Sequence, residues 1–503
     1  MTISGWQSGR QFAVLNGSPV TAGADCVLAC TLPTPKNETG WYRLAARVQA
    51  NEDGEAVAAN NDAHFTVLLP LRPVLIKRIE GLPRPWKAER LEVTLDSVLP
   101  PGDDYTLSYA LRDFRGSLVV ENQPVGPPRK SGTQTVAVDL GRCLRGRLGW
   151  FDAQFTLRRG PAVVDTQAVS LSRVPPRPTV LSPTMGINHQ FWVAGEEDIR
   201  ADLELVRDMG ARYVRCNGPE QWERLYAQGN GEYALWHVVQ YLLDDIRKSG
   251  WTEELERKCY QQALEFVSEH KGKVKVYELG NEFNTTISAE DCAQAFRAVC
   301  KAAKAADPNC TVNTLGAGGG GPGVVEWHAR LYELAGDCVD NISLHPCTFC
   351  APDIDDFLMS GAAQPVDSYP DILRGHGAYP QKRVWCTEYG WFAASNDPAA
   401  LHDQAMFTVR QYLLGAANDI PMLQYPLKDM GYDTAQGCCS EGLVYFNREP
   451  KPAYPAFAVL ASRLSEAGFA ARVTLAGTAT CTVSAGRARS SRSSGSQSAR
   501  TNC

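Results

Sequence analysis

Several features that mark other classes of protein are missing from this sequence. No run of apolar residues approaches the roughly 20 residues that a helix needs to cross a bilayer, so we expect a soluble protein without a membrane span. With 50 Lys and Arg residues against 56 Asp and Glu residues, the net charge is −6, which argues against a nucleic-acid partner. The opening residues, MTISGWQSGRQF, lack the basic and apolar regions of a secretory signal.

Metal, phosphate and disulfide chemistry also lack their usual signatures. The 16 cysteines have neither the spacing of a disulfide framework nor two C-x-x-C pairs at zinc-ribbon spacing, and we expect mostly buried free thiols. No cluster of His, Cys, Asp and Glu has metal-ligand spacing, so neither a metal nor an organic cofactor is predicted. The GGGG run at 318–321 lacks the G-K-[ST] of a phosphate loop and is interpreted as a flexible active-site loop.

The first 175 or so residues have the pattern of an all-β region. Short alternating segments such as LEVTLDSV and YTLSYALRD are separated by turn signals such as Asp53-Gly54. GWYRLAARV at Gly40 and GWFDAQFTL at Gly149 begin two similar stretches, which predicts tandem β-sandwich modules over 1–72 and 73–176. The segment before Gly40 is much shorter than its counterpart in the second module, so we expect the first module to be truncated.

After RVPPRP the pattern changes to short apolar segments that alternate with amphipathic helices. Such an alternation predicts an α/β domain, a (β/α)8 TIM barrel over 177–468. Seven strands are predicted in TMGINHQF, ARYVRCN, VKVYELGNE, CTVNTLGAG, NISLHPC, RVWCTEYG and IPMLQYPL. The third unit of the barrel, between Cys216 and Lys273, is short, and HVVQYLLDD is the best candidate for its strand.

Two further segments follow the predicted barrel. Residues 469–485 resemble the beginning of a carboxy-terminal β domain. Residues 486–503 contain many Ser and Arg residues and no acidic residue, a composition that cannot bury a core. We interpret them as a disordered tail rather than as a nucleic-acid-binding segment.

Two predicted strands end in glutamate. VKVYELGNEF places Glu282 at one strand end, and RVWCTEYGW places Glu388 at another. In a (β/α) barrel the chemistry lies at the carboxyl ends of the strands. Retaining cleavage of a glycosidic bond needs two carboxyl groups about 5–5.5 Å apart, one as acid/base and one as nucleophile. A single glutamate at a strand end could be structural, but burial of an unpaired carboxylate is costly, so the pair favours a functional role.

Because of the positions of these two glutamates and the segments around them, the sequence resembles glycoside hydrolase clan A, the retaining TIM-barrel glycosidases. Within the clan it most resembles families 39 and 5. The most specific segments are TEYGW, LQYPLKD and EGLVYFNREPKPAYPAF, and the resemblance covers roughly 185–464. It implies that Glu282 is the acid/base and that Glu388 is the nucleophile.

The resemblance implies roles for three more residues. Arg215 corresponds to the arginine that keeps the nucleophile ionised, and Asn281 to the asparagine that binds the sugar 2-hydroxyl. His345 corresponds to a histidine that lines the site, although Cys347 stands where many relatives have tyrosine. The alternatives are a surface arginine, a strand-end amide and a core histidine.

Three aromatic or imidazole side chains complete the candidate site. Tyr425 could offer a hydroxyl to the substrate, while His189 and Trp391 are candidate sugar contacts, since sugars stack their apolar faces on aromatic rings. For each of them, packing in the core is an equally good interpretation.

The sequence therefore predicts a hydrolase that cleaves a β-linked glycoside or polysaccharide with retention, and a carbohydrate as its partner. A transglycosylase would use the same residues. A catalytically impaired carbohydrate-binding protein on a glycosidase fold is the alternative, and the β-modules could serve in adhesion. Relatives are often exported, which suggests an extracellular or periplasmic location, and the oligomeric state has no sequence signature.

Overall fold

Strands occupy the described amino-terminal part of the chain and alternate with helices after it. The structure, a computed structural model, describes residues 2–5, 11–14, 40–52, 55–67, 74–81, 90–97, 105–126, 132–141, 143–189, 196–215, 233–235, 245–246, 250–318, 322–345, 382–391, 393, 397–417, 419–430, 440–465, 467–474 and 480–486. Before residue 100 and after residue 466 it describes only the backbone of the strands.

The chain divides into two units, and each contains segments that are distant in sequence. The first unit comprises Met1–Arg173, Phe392–Gln404 and Lys428–Pro455. The second comprises Val174–Trp391, Ala405–Leu427 and Ala456–Cys503.

The first unit contains eleven described strands: β1 (Thr2–Gly5), β2 (Gln11–Val14), β3 (Gly40–Glu52), β4 (Glu55–Val67), β5 (Val74–Gly81), β6 (Arg90–Ser97), β7 (Tyr105–Asp113), β8 (Leu118–Gly126), β9 (Gly132–Asp139), β10 (Gly149–Arg159) and β11 (Ala162–Arg173). They form three antiparallel sheets with the orders β2-β1-β3-β4, β5-β6-β9 and β11-β10-β7-β8. The all-β prediction is confirmed for these strands, whereas the division into two sandwiches stays a prediction.

In the sheet that contains β7 and β10, buried and more exposed residues alternate along the strands. Leu107 and Leu111 of β7 and Phe155 and Leu157 of β10 are buried, and alternate residues on β7 face outward or are half-buried. Because successive side chains of a strand point to opposite faces, this pattern gives the sheet one buried apolar face.

The second unit is built on a curled parallel sheet: β12 (Met185–Asn188), β13 (Tyr213–Arg215), β14 (Tyr233–Leu235), β15 (Val276–Glu278), β16 (Thr311–Asn313), β17 (Ala317–Gly318), β18 (Asn341–His345), β19 (Arg383–Tyr389) and β20 (Met422–Gln424). The order is β13-β12-β20-β19-β18-β16-β15-β14, with β17 beside β18. The terminal strands β13 and β14 approach within 8 Å between Cα atoms. This arrangement fits a TIM-barrel-like fold.

All seven segments predicted as barrel strands contain a strand of this sheet. The third strand lies elsewhere than expected: Tyr233–Leu235 pairs in parallel with Val276–Glu278, so the position assigned to HVVQYLLDD is taken by the preceding segment. Most of HVVQYLLDD lies outside the described residues. Tyr233–Leu235 and HVVQYLLDD belong to one largely apolar stretch, and its pattern does not show which part of the stretch forms the strand.

The helices are α1 (Glu196–Met209), α2 (Glu253–His270), α3 (Ala289–Ala306), α4 (Pro322–Ala335), α5 (Pro398–Ala417) and α6 (Ala453–Leu464), with a 3₁₀ turn at Phe283–Thr285. Thr252 and Ser288 cap α2 and α3 by accepting hydrogen bonds from backbone N–H groups three residues later. Ser and Thr are typical residues at this position, because their side-chain oxygens accept hydrogen bonds from backbone N–H groups that have no partner within the helix.

Several remaining expectations concern the carboxy-terminal segments, the cysteines and membrane-spanning helices. Strands β21 (Ala467–Thr474) and β22 (Thr480–Gly486) form an antiparallel hairpin, and the predicted disordered tail lies outside the described residues except for Gly486. Of the described cysteines, seven are free thiols, and five of these are buried. Among the described residues, no helix is long and apolar enough to cross a membrane.

Candidate active site

The two predicted catalytic glutamates lie beyond the ends of β15 and near the end of β19, on the same edge of the parallel sheet. One carboxylate oxygen of Glu282, one of Glu388 and a ring nitrogen of His345 all lie within 4.8 Å of one another. The side chain of Glu282 is 38% exposed and that of Glu388 is 22% exposed, so both carboxylates are reachable from solvent. The structure therefore brings together residues that are 106 positions apart in the printed sequence.

A sharp turn after β15 presents Glu282. Its backbone is left-handed, with φ 55°, and its N–H donates to the carbonyl of Gly316 at 2.8 Å. Gly280 has φ 136°, and a Cβ there would lie 2.2 Å from the ring of Phe283. Only glycine fits this turn, because both the backbone conformation and the space exclude a side chain.

Arg215, from the end of β13, holds the nucleophile candidate. Its guanidinium is 2% exposed, and Nη1 donates to Oε2 of Glu388 at 3.2 Å. Nη2 donates to Oδ1 of Asn281 at 2.6 Å. The same guanidinium therefore orients both the carboxylate of Glu388 and the amide of Asn281.

His345, from the end of β18, contacts both glutamates. Its Nδ1 lies 3.0 Å from Oε1 of Glu282 and 3.7 Å from Oε2 of Glu388, and its Nε2 lies 3.0 Å from Oγ1 of Thr387. The ring is fully buried and packs on Gly316, where an added Cβ would lie 2.0 Å from Nε2. His345 is thus fixed from two sides.

The environment of Glu282 has opposing effects on its pKa. The hydrogen bond with His345 lowers the pKa of Glu282 from its ordinary value, burial raises it, and the charges of His345 and Arg215 lower it further, with a net decrease. Together these surroundings favour the carboxylate form of Glu282.

Two site residues were missed by the sequence analysis. Asn188, at the end of β12, is buried and donates from Nδ2 to Oε2 of Glu388 at 3.0 Å. Glu278 of β15 is fully buried and accepts hydrogen bonds from Arg215. Asn188 precedes His189, and Glu278 lies four residues before Glu282, so a signal existed: polar residues at the carboxyl ends of apolar strands.

The three remaining candidates lie in different surroundings. Nε2 of His189 is 3.2 Å from the carboxylate of Asp202 on α1, and both side chains are buried. Trp391 packs on Phe407, with ring centroids 4.0 Å apart. The N–H of Tyr425 donates to the carbonyl of Tyr389 at 2.7 Å, beside the end of the strand that contains Glu388. The contacts of His189 and Trp391 agree with the alternative that these side chains pack in the interior. A role of either residue in binding sugar stays a prediction.

Glu282, His345 and Glu388 together could also bind a metal ion. Arg215 lies 3.2 Å from the Glu388 oxygen in this group, and a second cation there would be repelled by its charge. The positive charge of Arg215 therefore disfavours a metal ion at this position.

Comparison with known proteins finds a similar fold in a solved structure. No family model and no curated protein matches the chain. A family 39 glycoside hydrolase from the gut symbiont Bacteroides cellulosilyticus WH2 is similar in structure, with a TM-score of 0.61 and 20% identity over 82% of this chain and 87% of that one. This supports the resemblance to family 39 and clan A, and at this identity it shows that the fold is shared.

Two more distant structures are also similar in part. They are a putative β-galactosidase from Bacteroides fragilis, with 15% identity over 79% of this chain and 62% of that one, and a GH2 β-galacturonidase from Eisenbergiella tayi bound to galacturonate, with 12% identity over 85% of this chain and 90% of that one. Both have a TM-score of 0.39.

Proposed function

We propose that this protein is a retaining glycoside hydrolase acting on a β-linked carbohydrate, with Glu388 as the nucleophile and Glu282 as the acid/base. The observation that supports this most strongly is the approach of the two carboxylates within 4.8 Å at the end of a TIM-barrel-like sheet. Retaining enzymes hold their carboxyl groups about 5–5.5 Å apart, whereas inverting enzymes need about 6.5–9.5 Å to admit a water molecule. The β-linkage comes from the resemblance to clan A.

In the first step, an oxygen of Glu388 attacks the anomeric carbon and the glycosidic bond breaks. Glu282 transfers its proton to the departing oxygen, so that the leaving group departs as an alcohol. Arg215 and Asn188 both contact Oε2 of Glu388, which orients the carboxylate for the attack.

In the second step, water attacks the anomeric carbon of the glycosyl-enzyme and the bond to Glu388 breaks. Glu282, now a carboxylate, accepts the proton of that water. The hydrogen bond from His345, which lowers the pKa of Glu282, favours this base form. A bound sugar that excludes water strengthens the opposing effect of burial, which favours the protonated form needed for the first step.

Mechanism-based inactivators test this proposal directly. The protein would be incubated with a panel of 2-deoxy-2-fluoroglycosides of different sugar configurations, beside Glu388→Gln as the matched variant. We expect one covalent adduct, on the peptide that contains Glu388 in the wild type and missing in the variant. The sugar that reacts would identify the configuration accepted by the site.

Other outcomes separate the alternatives. An adduct on a different carboxylate would contradict the assignment of the nucleophile. Folded protein that forms no adduct with any sugar, yet binds oligosaccharides equally well with Glu388 or Gln at that position, would favour the impaired carbohydrate-binding protein. Transfer to an added alcohol in preference to water would indicate a transglycosylase that uses the same residues.

A further inference from the structure

We propose that Glu278 is a positioning residue that holds Arg215 against Glu388 and sets how much positive charge the nucleophile experiences. The inference rests on the proposed function, because it assigns Glu278 a part in the reactivity of Glu388. Glu278 does not contact the reacting atoms, and it acts through Arg215.

The contact between Glu278 and Arg215 is direct and excluded from water. Oε1 of Glu278 accepts from Nε of Arg215 at 2.9 Å and lies 2.8 Å from Nη2. Glu278 is completely buried and Arg215 is 2% exposed. Charge-assisted hydrogen bonds are stronger than neutral ones, and loss of either partner would leave an uncompensated buried charge, so the two side chains are held in this arrangement.

These hydrogen bonds fix the orientation of the guanidinium. Glu278 takes the Nε side and shares Nη2 with Asn281, which leaves Nη1 for Glu388 at 3.2 Å. Because the guanidinium is planar, fixing two of its nitrogens determines the direction of the third. Glu278 therefore decides where Arg215 meets the nucleophile.

The same arrangement determines the charge of the site. Arg215 carries one positive charge between the carboxylates of Glu278 and Glu388, and Nε2 of His345 is 4.0 Å from Oε1 of Glu278. Glu278 is thus the counter-ion of Arg215 and also lies near the imidazole of His345. Without it, the whole charge of Arg215 acts on Glu388, which makes Glu388 a weaker nucleophile and a better leaving group.

The test compares Glu278→Gln, which keeps an oxygen acceptor and removes the charge, with Glu278→Asp, which keeps the charge on a shorter side chain. The substrate is an aryl glycoside of the sugar that labels Glu388. In Glu278→Gln we expect the acidic limb of the pH profile of kcat/KM to move down by about one pH unit. We also expect plateau kcat/KM to fall about 10–100-fold without slower breakdown of the glycosyl-enzyme. In Glu278→Asp, which keeps the charge, we expect kcat/KM to fall because Arg215 is displaced, and the acidic limb not to move to lower pH.

Asp429→Asn is the matched control, because Asp429 is also a buried carboxylate in an ion pair, with Lys451 at 2.7 Å, and lies in the other unit. It should lower stability and leave the acidic limb unmoved.

An unmoved limb in folded Glu278→Gln would overturn the inference and show that the pair is purely structural. If Glu278→Gln does not fold, Glu278→Asp decides: an acidic limb that moves to lower pH although the charge is retained overturns it. If the wild-type protein were never labelled at Glu388 by the 2-deoxy-2-fluoroglycosides, the proposed function itself would be contradicted instead.

Discussion

Nδ1 of His345 lies 3.0 Å from Oε1 of Glu282 and 3.7 Å from Oε2 of Glu388, so a single buried imidazole contacts both candidate catalytic carboxylates. The hydrogen bond to Glu282 is also the largest influence that lowers the pKa of that residue. His345 is therefore the residue through which the protonation of the acid/base can be altered without changing the acid/base itself.

The first prediction concerns the pH dependence of His345→Ala. Removing the imidazole removes the hydrogen bond that lowers the pKa of Glu282, so this pKa should rise. A general acid works only while protonated, and the basic limb of the kcat/KM profile should accordingly move to higher pH. The maximal rate should fall as well, because the imidazole also lies beside Glu388.

Thr387→Val serves as the control for this pH shift. It removes the hydroxyl 3.0 Å from Nε2 of His345 and leaves the imidazole beside Glu282. We expect a smaller shift of the basic limb in Thr387→Val than in His345→Ala. Equal shifts in both variants would show that the histidine acts on Glu282 only through its orientation.

A second prediction concerns Gly316→Ala, which should displace the imidazole. An added Cβ would lie 2.0 Å from Nε2 of His345, and a buried ring cannot yield that much without leaving its position. We expect kcat/KM to fall about 10-fold or more, since a misplacement of about 1 Å can cost roughly 100-fold. The rate with an aryl glycoside and the melting temperature should both be measured.

Gly323→Ala is the matched control for that substitution. Gly323 lies in α4 and an added Cβ there has no heavy atom within 4 Å. Alanine is favoured over glycine in a helix by roughly 0.5–1 kcal/mol, so stability should be unchanged or slightly higher. If both glycine variants lost activity equally, the close approach of Gly316 to His345 would not be the cause.

A third prediction concerns Glu282→Ala. Without the acid/base, a substrate with a good leaving group still forms the glycosyl-enzyme, but water is no longer activated to release it. We expect turnover to fall by roughly 10²–10⁴-fold, and azide, which needs no general base, to restore it as a glycosyl azide with retained configuration. Glu290→Ala, an exposed glutamate paired with Arg330, should change neither rate nor product. An azide product of inverted configuration would contradict the retaining mechanism.

A fourth prediction concerns stability and the buried ion pair of the first unit. Nζ of Lys451 lies 2.7 Å from Oδ1 of Asp429, and both side chains are buried. Burial raises the pKa of Asp429 to about 6, and Lys451 acts in the opposite direction. In Lys451→Met the pKa of Asp429 should rise further, and a charged, unpaired Asp429 should cost about 3–5 kcal/mol of unfolding free energy at neutral pH.

The sign of the pH dependence makes this prediction specific. Protonation neutralises Asp429, so the deficit of Lys451→Met in urea unfolding should be smaller at pH 5 than at pH 7. Lys258→Met removes an exposed lysine paired with Glu254 on α2 and should cost well under 1 kcal/mol at either pH, since such surface pairs contribute little. A deficit that does not change with pH would exclude an unpaired carboxylate as its cause.

Much of the parallel sheet was predictable because local patterns determine it. Apolar segments of strand length alternate with helices that begin at Thr252 and Ser288, and both caps are read from neighbouring residues alone. Tyr233–Leu235 was not predicted, because it lies at the start of a longer apolar stretch in which several short segments are equally good strand candidates. The position of this strand depends on its pairing with β15, which links residues distant in sequence.

The sequence by itself determined that Glu282 and Glu388 would meet. Both follow apolar strands, and the carboxyl ends of parallel strands in a barrel share one edge. Only the tertiary structure decided which groups surround them. His189 turns to Asp202, Asn188 turns to Glu388, and Glu278 pairs with Arg215 across 63 residues of chain. Such contacts depend on side-chain direction and on strands brought together by folding, and neither is encoded in the spacing of residues along one segment.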